Sequence, residues 1–328
     1  MLFKKLTQDR NSKAVQKVND GDERKLRRSD TLDTLDAALS FSDRSTPDVV
    51  DDVESDDGGS VAFTDKPDVY GQLHPVETPQ LIAGKIVAFD AAVNNLPRKR
   101  RAALSQAVEE CPELLTEKFK LQFLRCDCFN VQLAAKRYGK YWERRLEVFG
   151  PDKAFLPLTP EGALKDDAVA LSVGLLTLTG TKDSSGRNIM VADPTKQQFD
   201  KYSTQSMIRT VWYMVHLALE DEETQKQGLV YIVDLSKASL SLLDKELVRV
   251  AALSVTGCIP VRLSGIHGLY PPAVFWVIYP VVKVLLGERL RKRAKFHSGS
   301  KKKVLAELAK YGLDSTKLPK LIGGELEV

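Results

Sequence analysis

The chain has 328 residues, of which 43% are hydrophobic and 28% charged, and its formal net charge at pH 7 is +4. This length allows one large α/β domain or two ordinary ones, and the composition is that of a globular protein rather than a disordered or membrane-embedded one. The charge is unevenly distributed: residues 1–28 carry nine bases and four acids, residues 29–70 carry two bases and twelve acids, and residues 71–328 keep a net +9. A basic folded surface suits the phosphates of lipid or of nucleic acid.

Simple features exclude several other classes. The four cysteines form neither a C-x-x-C pair nor a disulfide framework, so we expect reduced, mostly buried thiols in a cytosolic protein. No signal peptide is expected, since Met1-Leu2-Phe3 runs directly into lysines. The most apolar window, Leu269–Leu286, contains three prolines and a lysine and does not fit a bilayer-spanning helix. We therefore expect a soluble protein.

Residues 1–75 predict a disordered charged tail. They are rich in Asp, Ser, Thr and Lys and poor in aromatic residues, so burial would not offset the entropy lost on ordering. A basic stretch ends at Arg28, and an acidic block follows Ser29. A phosphorylation site at Ser29 or a membrane-surface tether is one interpretation, and a merely solubilising tail is the other and commoner one.

Residues 76–150 have the pattern of a small helical bundle. Thr78 followed by a proline is a helix N-cap signature, and apolar residues recur at helical spacing from Leu81 onward. Two further helical segments follow, and Asn130 caps a last helix over Val131–Val148 that carries one apolar stripe. We expect these residues to form a helical module that precedes a second domain.

Residues 151–328 have the pattern of an α/β domain. The β-prone segments Leu175–Thr179 and Asn188–Ala192 are joined by a turn-forming sequence and predict a hairpin. After an amphipathic helix, the apolar run Leu229–Asp234 fits a strand buried on both faces. A further helix is followed by a strand at Ile259–Leu263 and by helices at Ala273–Leu286 and Lys303–Lys310. This alternation predicts a mostly parallel, mixed sheet with helical crossovers.

The sequence lacks a recognisable catalytic constellation. It has no Gly-rich phosphate loop and no G-x-S-x-G elbow, and its four histidines have no metal-ligand spacing. His216 lies on an apolar helix, where a satisfied core histidine is the commoner role. Asp234, at the end of a buried strand, more often caps the following turn than acts in catalysis. We therefore expect neither an enzyme nor a metal site.

The segment from Ile259 to Lys303 is the most informative one. Its helix is apolar on nearly all sides and should be buried or membrane-facing. A run of basic residues follows, and no acidic residue lies between positions 289 and 303. An apolar helix next to a basic segment can contact an anionic membrane. The alternative is a helix of the protein core followed by a solvated basic loop. A nucleic-acid site is disfavoured, because only Phe296 could stack on bases. The residues expected to contact headgroups are Arg262, Arg289, Arg291, Lys292, Arg293, Lys295, Lys301, Lys302 and Lys303.

Three motifs, in the correct order, resemble the CRAL-TRIO family of retinaldehyde-binding, tocopherol-transfer and phosphatidylinositol-transfer proteins. Phe123-Leu124-Arg125, followed by Phe129-Asn130-Val131, looks like the helical module of the family. Ile259–His267, with the later Leu290–Arg293, is similar to its central segment, and Leu318–Glu325 to its closing L-P-x-x-x-G-G signature. The resemblance covers residues 78–328.

The resemblance implies an α/β/α lobe whose sheet floors a deep apolar pocket, closed by a gate helix at Ala273–Leu286. Burial would drive binding of the cargo, at roughly 0.8 kcal/mol for each methylene removed from water. Because side chains alternate along a strand, Leu229, Tyr231 and Val233 should share one face of the sheet. The pocket candidates are Met190, Leu229, Tyr231, Val233, Val261 and Leu263 from the sheet, and Phe275, Ile278, Tyr279 and Val282 from the gate helix.

Several positions depart from the phosphatidylinositol-transfer branch. Its bases after the F-L-R motif correspond here to Asp127 and Cys128, its acidic strand residue to Val261, and its hydroxyl residues to Leu229 and Tyr231. These departures argue against recognition of an inositol or choline headgroup inside the pocket, but they do not remove phospholipids and phosphoinositides from the expected ligands.

The pattern around Arg262 is closer to that of the retinaldehyde and tocopherol branch. The resemblance to that branch implies a basic groove outside the pocket, to which Arg262 and Arg293 correspond, that binds a phosphoinositide. The present chain has Ser264 where that branch often has another base, and Tyr270 where it usually has asparagine.

We therefore expect a cytoplasmic, non-enzymatic, monomeric carrier that binds a hydrophobic ligand and transfers it between membranes. The ligand would be a phospholipid, a phosphoinositide such as phosphatidylinositol bisphosphate, or an isoprenoid-like lipid, with transient docking on anionic membranes. No cofactor other than a bound lipid and no nucleic acid is expected. The alternative is a lipid-sensing adaptor that binds phosphoinositide without transferring it and recruits a protein partner through its tail.

Overall fold

The computed structural model describes residues 60–327 of the chain. Residues 1–59 of the predicted tail lie outside the described residues. The side chains of Leu240, Ile278, Val281 and residues 285–290 lie outside them as well.

The N-terminal helical module consists of α1 (Pro79–Asn94), α2 (Arg98–Glu110), α3 (Glu117–Cys126) and α4 (Val131–Phe149). The predicted caps are confirmed: the Thr78 side chain accepts a hydrogen bond from the backbone N–H of Leu81, and the Asn130 side chain accepts one from the backbone N–H of Leu133. Such caps satisfy backbone donors that a helix start leaves unpaired. Aromatic rings of α3 and α4 then hold the module together, with Phe123 and Tyr138 at 4.9 Å between ring centroids.

The second lobe contains a five-stranded sheet in the spatial order β1-β2-β3-β4-β5. β1 is antiparallel to β2, and all other neighbours are parallel, which confirms the predicted hairpin and the mostly parallel, mixed sheet. The strands are β1 (Leu176–Lys182), β2 (Asn188–Ala192), β3 (Leu229–Asp234), β4 (Leu263–Leu269) and β5 (Ala294–His297). The helices are α5 (Ala168–Ser172), α6 (Thr204–Ala218), α7 (Glu222–Gln227), α8 (Lys245–Gly257), α9 (Phe275–Arg291) and α10 (Lys301–Ala309).

The crossovers pack on one face of this sheet. Parallel strands joined by right-handed crossovers and added in one direction place every connecting helix on the same side. We call this side the inner face; it comprises Met190, Leu229, Tyr231, Val233, Leu263 and Ile266, and it shares a core cluster with α6 and α8. The opposite, outer face comprises Ile189, Val191, Val230, Ile232 and Leu269, which pack against α10 and the C-terminal segment.

The expected strand at Ile259–Leu263 is wrong in its position, because β4 begins only at Leu263. Pro260 has no backbone N–H to donate to a ladder, and Val261 donates its N–H to the carbonyl of Ile259 in a local turn. Ile259 and Val261 are nevertheless buried in the inner core cluster. The predicted helix at Ala273–Leu286 is present but runs from Phe275 to Arg291.

The sequence predicts a disordered tail that ends at residue 75, but residues 60–76, which we call the strap, are held by hydrogen bonds and partly buried. The backbone N–H of Thr64 donates to the carbonyl of His74 at 2.9 Å, and Gln72 and His74 are buried. The partners that order this polar segment lie far along the chain, at Arg187 just before β2 and at Ser264 and His267 on β4. Local composition could not reveal them.

Candidate functional site

The inner face of the sheet brings most of the predicted pocket residues together. Leu229, Tyr231 and Val233 share this face, as their alternation predicts. Met190 is aligned with Tyr231 on the neighbouring strand. The sheet candidates divide by burial: Met190, Leu229 and Val261 are fully buried, whereas Tyr231, Val233 and Leu263 are only half-buried.

Tyr231 has an unusual environment for a residue of the central strand. Its neighbours in the strand register are Met190 on one side and Ile266 on the other, so the ring lies among apolar side chains. Burial alone raises the pKa of its hydroxyl to about 12.

Helix α9 lies against this face through its first turns. Phe275 is buried, and the rings of Phe275 and Tyr279 lie 5.1 and 5.0 Å from that of Phe296 on β5. Val282 is half-buried, and the side chain of Ile278 lies outside the described residues.

Another part of the α9 surface is exposed, on a helix that the sequence predicts to be either buried or membrane-facing. Trp276 is 48% exposed and Val277 67% exposed, and Pro280 and Lys283 are exposed on the same side. Their spacing of three to four residues makes them one stripe along the helix. An apolar stripe exposed to solvent is a common property of surfaces that contact a membrane or a protein.

The residues predicted to contact headgroups form a group near β5 and α10, from which Arg262 is separate. Lys292 and Lys295 are exposed around β5, and Lys301, Lys302 and Lys303 are exposed in the first turn of α10. Arg291 and Arg293 are half-buried, and Arg293 donates a hydrogen bond to the carbonyl of Leu263 at 3.0 Å. The side chain of Arg289 lies outside the described residues.

Arg262 does not belong to this exposed group, because it is only 5% exposed. It lies in a cleft of ≈ 210 Å³ between the strap, the helical module and the start of β4. We call this the basic cleft, and it is lined by His74, Pro75, Glu77, Arg125, Phe129, Lys226, Gln227 and Arg262.

The charges of the basic cleft are unequally compensated. Arg125 pairs with Glu77 at 2.8 Å and with Glu222 at 2.7 Å, and Lys226 pairs with Glu222 at 2.8 Å. The hydrogen bond from Lys226 and the charge of Arg125 lower the pKa of the Glu222 carboxyl. Arg262 has only neutral partners among residues 60–327: it donates to the carbonyl of Lys226 at 3.1 Å and to the amide oxygen of Gln72 at 3.5 Å. Its Nε is buried without a partner. A buried cation without a counter-charge favours an anion in the adjacent space.

The strap is the structural feature that sequence reasoning missed. Its Asp68 carboxylate accepts hydrogen bonds from His74 and from the fully buried Arg187, and Arg187 also pairs with Asp183 at 3.0 Å. Tyr70 lies directly over Gly265, where a Cβ would meet its ring at 2.2 Å. This close approach requires a glycine on β4.

Tyr70 also begins a chain of buried polar groups. Its hydroxyl lies 2.9 Å from His267 Nε2, His267 Nδ1 lies 2.9 Å from His297 Nε2, and His297 Nδ1 lies 2.9 Å from Glu307. The chain joins the strap, β4, β5 and α10. His267 belongs to the central motif quoted from the sequence, but no pattern identified Tyr70 as its partner.

A helical module followed by a mixed sheet whose crossovers lie on one face defines an α/β protein of the CRAL-TRIO type. Residues 171–324 match the family model for the CRAL/TRIO domain. This part of the chain is a CRAL/TRIO domain, and the family and fold class expected from the three motifs are confirmed.

Two curated relatives show the range of similarity. Clavesin-2 of Homo sapiens is 29% identical over 187 residues, which cover 56% of this chain and 55% of the relative. The alpha-tocopherol transfer protein-like protein of Homo sapiens is 26% identical over 237 residues, which cover 71% of this chain and 64% of the relative. The chain thus spans about half the length of Clavesin-2.

Among solved structures, the crystal structure of Sfh5 aligns with a TM-score of 0.44 and 14% identity, over 67% of this chain and 82% of that chain. Within residues 60–327, no helix combines the length and the apolar character that crossing a membrane requires.

Proposed function

We propose that this protein binds one apolar lipid between the inner face of its sheet and helix α9, and transfers it between membranes without a catalytic step. Lipid binding in this general sense agrees with membership of the CRAL-TRIO family. Transfer, the identity of the membrane and the residues used are the parts that we propose.

The observation that carries the proposal is the difference in burial along the inner face. Tyr231, Val233, Leu263 and Ile266 remain half-buried, although they lie on central strands beneath a layer of helices. Protein interiors are normally packed without such residual accessible surface. Apolar surface that is enclosed but incompletely covered suits an acyl or isoprenoid chain, whose burial supplies the driving force.

Docking on an anionic membrane would use the exposed stripe of α9 together with the neighbouring bases. Trp276 and Val277 would enter the interface between headgroups and acyl chains, while Lys295 and Lys301–Lys303 contact the headgroups. Each base near an anionic surface contributes about 1 kcal/mol, and salt screens this attraction. The same helix would cover the cargo and contact the membrane, so that docking and exchange are coupled.

A lipid-sensing adaptor is a second candidate, favoured by one specific observation. The basic cleft lies on the side of the lobe that faces the helical module, and Arg262 lacks a carboxylate partner there among the described residues. An anionic headgroup held in this cleft would be bound outside the inner face. Binding of that kind does not require that a lipid be transferred.

Vesicle transfer distinguishes the two functions. The full chain is mixed with donor vesicles that contain a quenched fluorescent lipid and with acceptor vesicles that contain 20% phosphatidylserine, in 50 and 500 mM salt. We expect protein-dependent transfer that falls at least tenfold at the higher salt. Binding to the vesicles without transfer would reject the carrier and support the adaptor.

The docking surface is tested in the same assay with Lys301, Lys302 and Lys303 changed together to glutamine. The matched control changes the exposed Arg98, Lys99 and Arg100 of α2 to glutamine. We expect slower transfer for the first variant and an unchanged rate for the second. Equal loss in both variants would show that only net charge matters and would reject the proposed docking surface.

A further inference from the structure

Tyr231 is the only residue among the predicted sheet candidates for the pocket whose side chain can form a hydrogen bond. The others are Met190, Leu229, Val233, Val261 and Leu263. Its partners in the register, Met190 and Ile266, are also apolar. The phenol therefore places a single polar group on an otherwise apolar surface.

The Tyr231 hydroxyl has no hydrogen-bond partner within residues 60–327. This differs from other buried tyrosines of the chain: the Tyr141 hydroxyl lies 3.0 Å from His216 Nε2 and accepts a hydrogen bond from Arg145, and the Tyr70 hydroxyl lies 2.9 Å from His267. Leaving a buried polar group unpaired destabilises a protein. A group that keeps accessible surface can recover this loss when a ligand supplies the partner.

Tyr138 provides the internal comparison. Its hydroxyl is also buried without a hydrogen-bond partner, but Tyr138 is only 2% exposed and lies within the helical module. A ligand cannot reach it there. Tyr231, by contrast, is half-buried and faces the proposed cargo space.

The surroundings of Tyr231 also restrict the charge of a partner. Burial alone raises the pKa of its hydroxyl, and no charged group of the described part of the chain contributes to this shift. A carboxylate or phosphate would have to lose its hydration shell without a compensating cation, which is strongly unfavourable. A neutral oxygen loses far less hydration and gains one hydrogen bond.

We infer that the cargo is a neutral lipid that presents one oxygen, as a hydroxyl, carbonyl or ester group, to the Tyr231 hydroxyl. Tyr231 is thus a specificity-determining residue that selects such lipids over hydrocarbons and over fatty-acid anions. This inference rests on the proposed function and names the chemical class of its ligand.

The test uses displacement of the fluorophore N-phenyl-1-naphthylamine from the full chain by three ligands of equal chain length: 1-hexadecanol, hexadecane and, at pH 8, palmitate. Each is titrated into the unchanged protein, Tyr231→Phe and the control Tyr138→Phe. The hydration free energy of a given ligand is the same for every variant, so it cancels when the affinities of the variants for that ligand are compared.

In Tyr231→Phe we expect the affinity for 1-hexadecanol to fall about tenfold, as for the loss of one hydrogen bond, and the affinity for hexadecane to stay within twofold. Tyr138→Phe should change neither affinity. In the unchanged protein, 1-hexadecanol should bind more tightly than palmitate.

Three results would overturn the inference alone: a change of less than twofold for 1-hexadecanol, an equal loss for 1-hexadecanol and hexadecane, or tighter binding of palmitate. A lower urea midpoint for Tyr231→Phe would overturn it too, since the hydroxyl would then have a structural partner. Failure of every ligand to displace the fluorophore would overturn the carrier function as well.

Discussion

The two faces of the sheet are made by the same strands and yet are packed differently. On the outer face, Val230 and Ile232 are completely buried against α10 and the C-terminal segment. On the inner face, Tyr231 and Val233 of the same strand are only half-buried beneath the crossover helices.

This difference separates the structural and the proposed functional side of one strand. The outer face is a closed core, in which every buried methylene contributes to stability. The inner face keeps accessible surface, which lowers its contribution to the stability of the free protein but leaves room for a ligand. A lipid bound there would complete the core, so that stability and binding are linked.

The largest effect should come from removing the ion pair that attaches the strap to the outer face. Arg187 is completely buried between Asp68 and Asp183, so Arg187→Leu leaves carboxylates without their cation. We expect a loss of about 3–5 kcal/mol in the free energy of unfolding, measured with urea, and faster proteolysis within residues 60–76. The exposed pair of Arg249 with Glu246 is the control, and Arg249→Leu should change stability by less than about 0.5 kcal/mol. Similar losses in both variants would contradict a special role for the buried pair.

A matched pair of substitutions on β3 compares the faces directly. Val230→Ala removes two methyl groups from the closed outer face, and Val233→Ala removes the same groups from the half-open inner face. We expect losses of about 2–3 kcal/mol and about 1 kcal/mol, respectively, in urea unfolding. Equal losses would mean that the inner face is packed as tightly as the outer one, and would remove the main support for the cargo site.

A smaller effect concerns pH, because a histidine with a lowered pKa lies on each side of the sheet. Burial lowers the pKa of His216 on α6 to about 4. Burial, with the charges of His297 and Lys295, lowers that of His267 on β4 to about 3. Both folded values lie below the ordinary value of 6.5, so the unfolded chain binds more protons as pH falls. The free energy of unfolding should therefore be highest above pH 6.5 and decrease from pH 6.5 towards pH 4 and below.

His216→Met tests the contribution of the inner side to this pH dependence. The decrease between pH 6.5 and 4, measured by urea unfolding at fixed ionic strength, should become shallower by about 1–2 kcal/mol. His267 and the carboxyl groups of lowered pKa, such as that of Asp68, should supply the decrease that remains. An unchanged pH profile would mean that His216 does not stay neutral in the folded protein.

The sequence predicted those parts of the fold that depend on local patterns. The caps at Thr78 and Asn130, the hairpin and the buried strand β3 follow from residue spacing, and the structure contains all of them. The shared face of Leu229, Tyr231 and Val233 also follows, because alternation is a property of any strand.

Other features depend on contacts between distant residues, which a single sequence does not display. The strap is ordered by Arg187 and His267, and its own composition resembles that of a disordered segment. Arg262 was grouped with the exposed bases because of its charge, yet it is buried in the basic cleft. The unpartnered hydroxyl of Tyr231 likewise emerges only when the surrounding side chains are placed.

The single-sided arrangement of the crossovers has a consequence for the order of folding. Helices α6, α8 and α9 all pack on the inner face. The outer face is therefore covered by the strap, which precedes the sheet in the sequence, and by residues that follow β5. The Tyr70–His267 hydrogen bond joins residues 197 positions apart, and Tyr70 stacks on Tyr311, which is still further along the chain. Contacts that close such long loops form late. Attachment of the strap therefore marks the completion of the sheet. During synthesis, residues 60–76 would stay undocked until residue 311 has emerged from the ribosome.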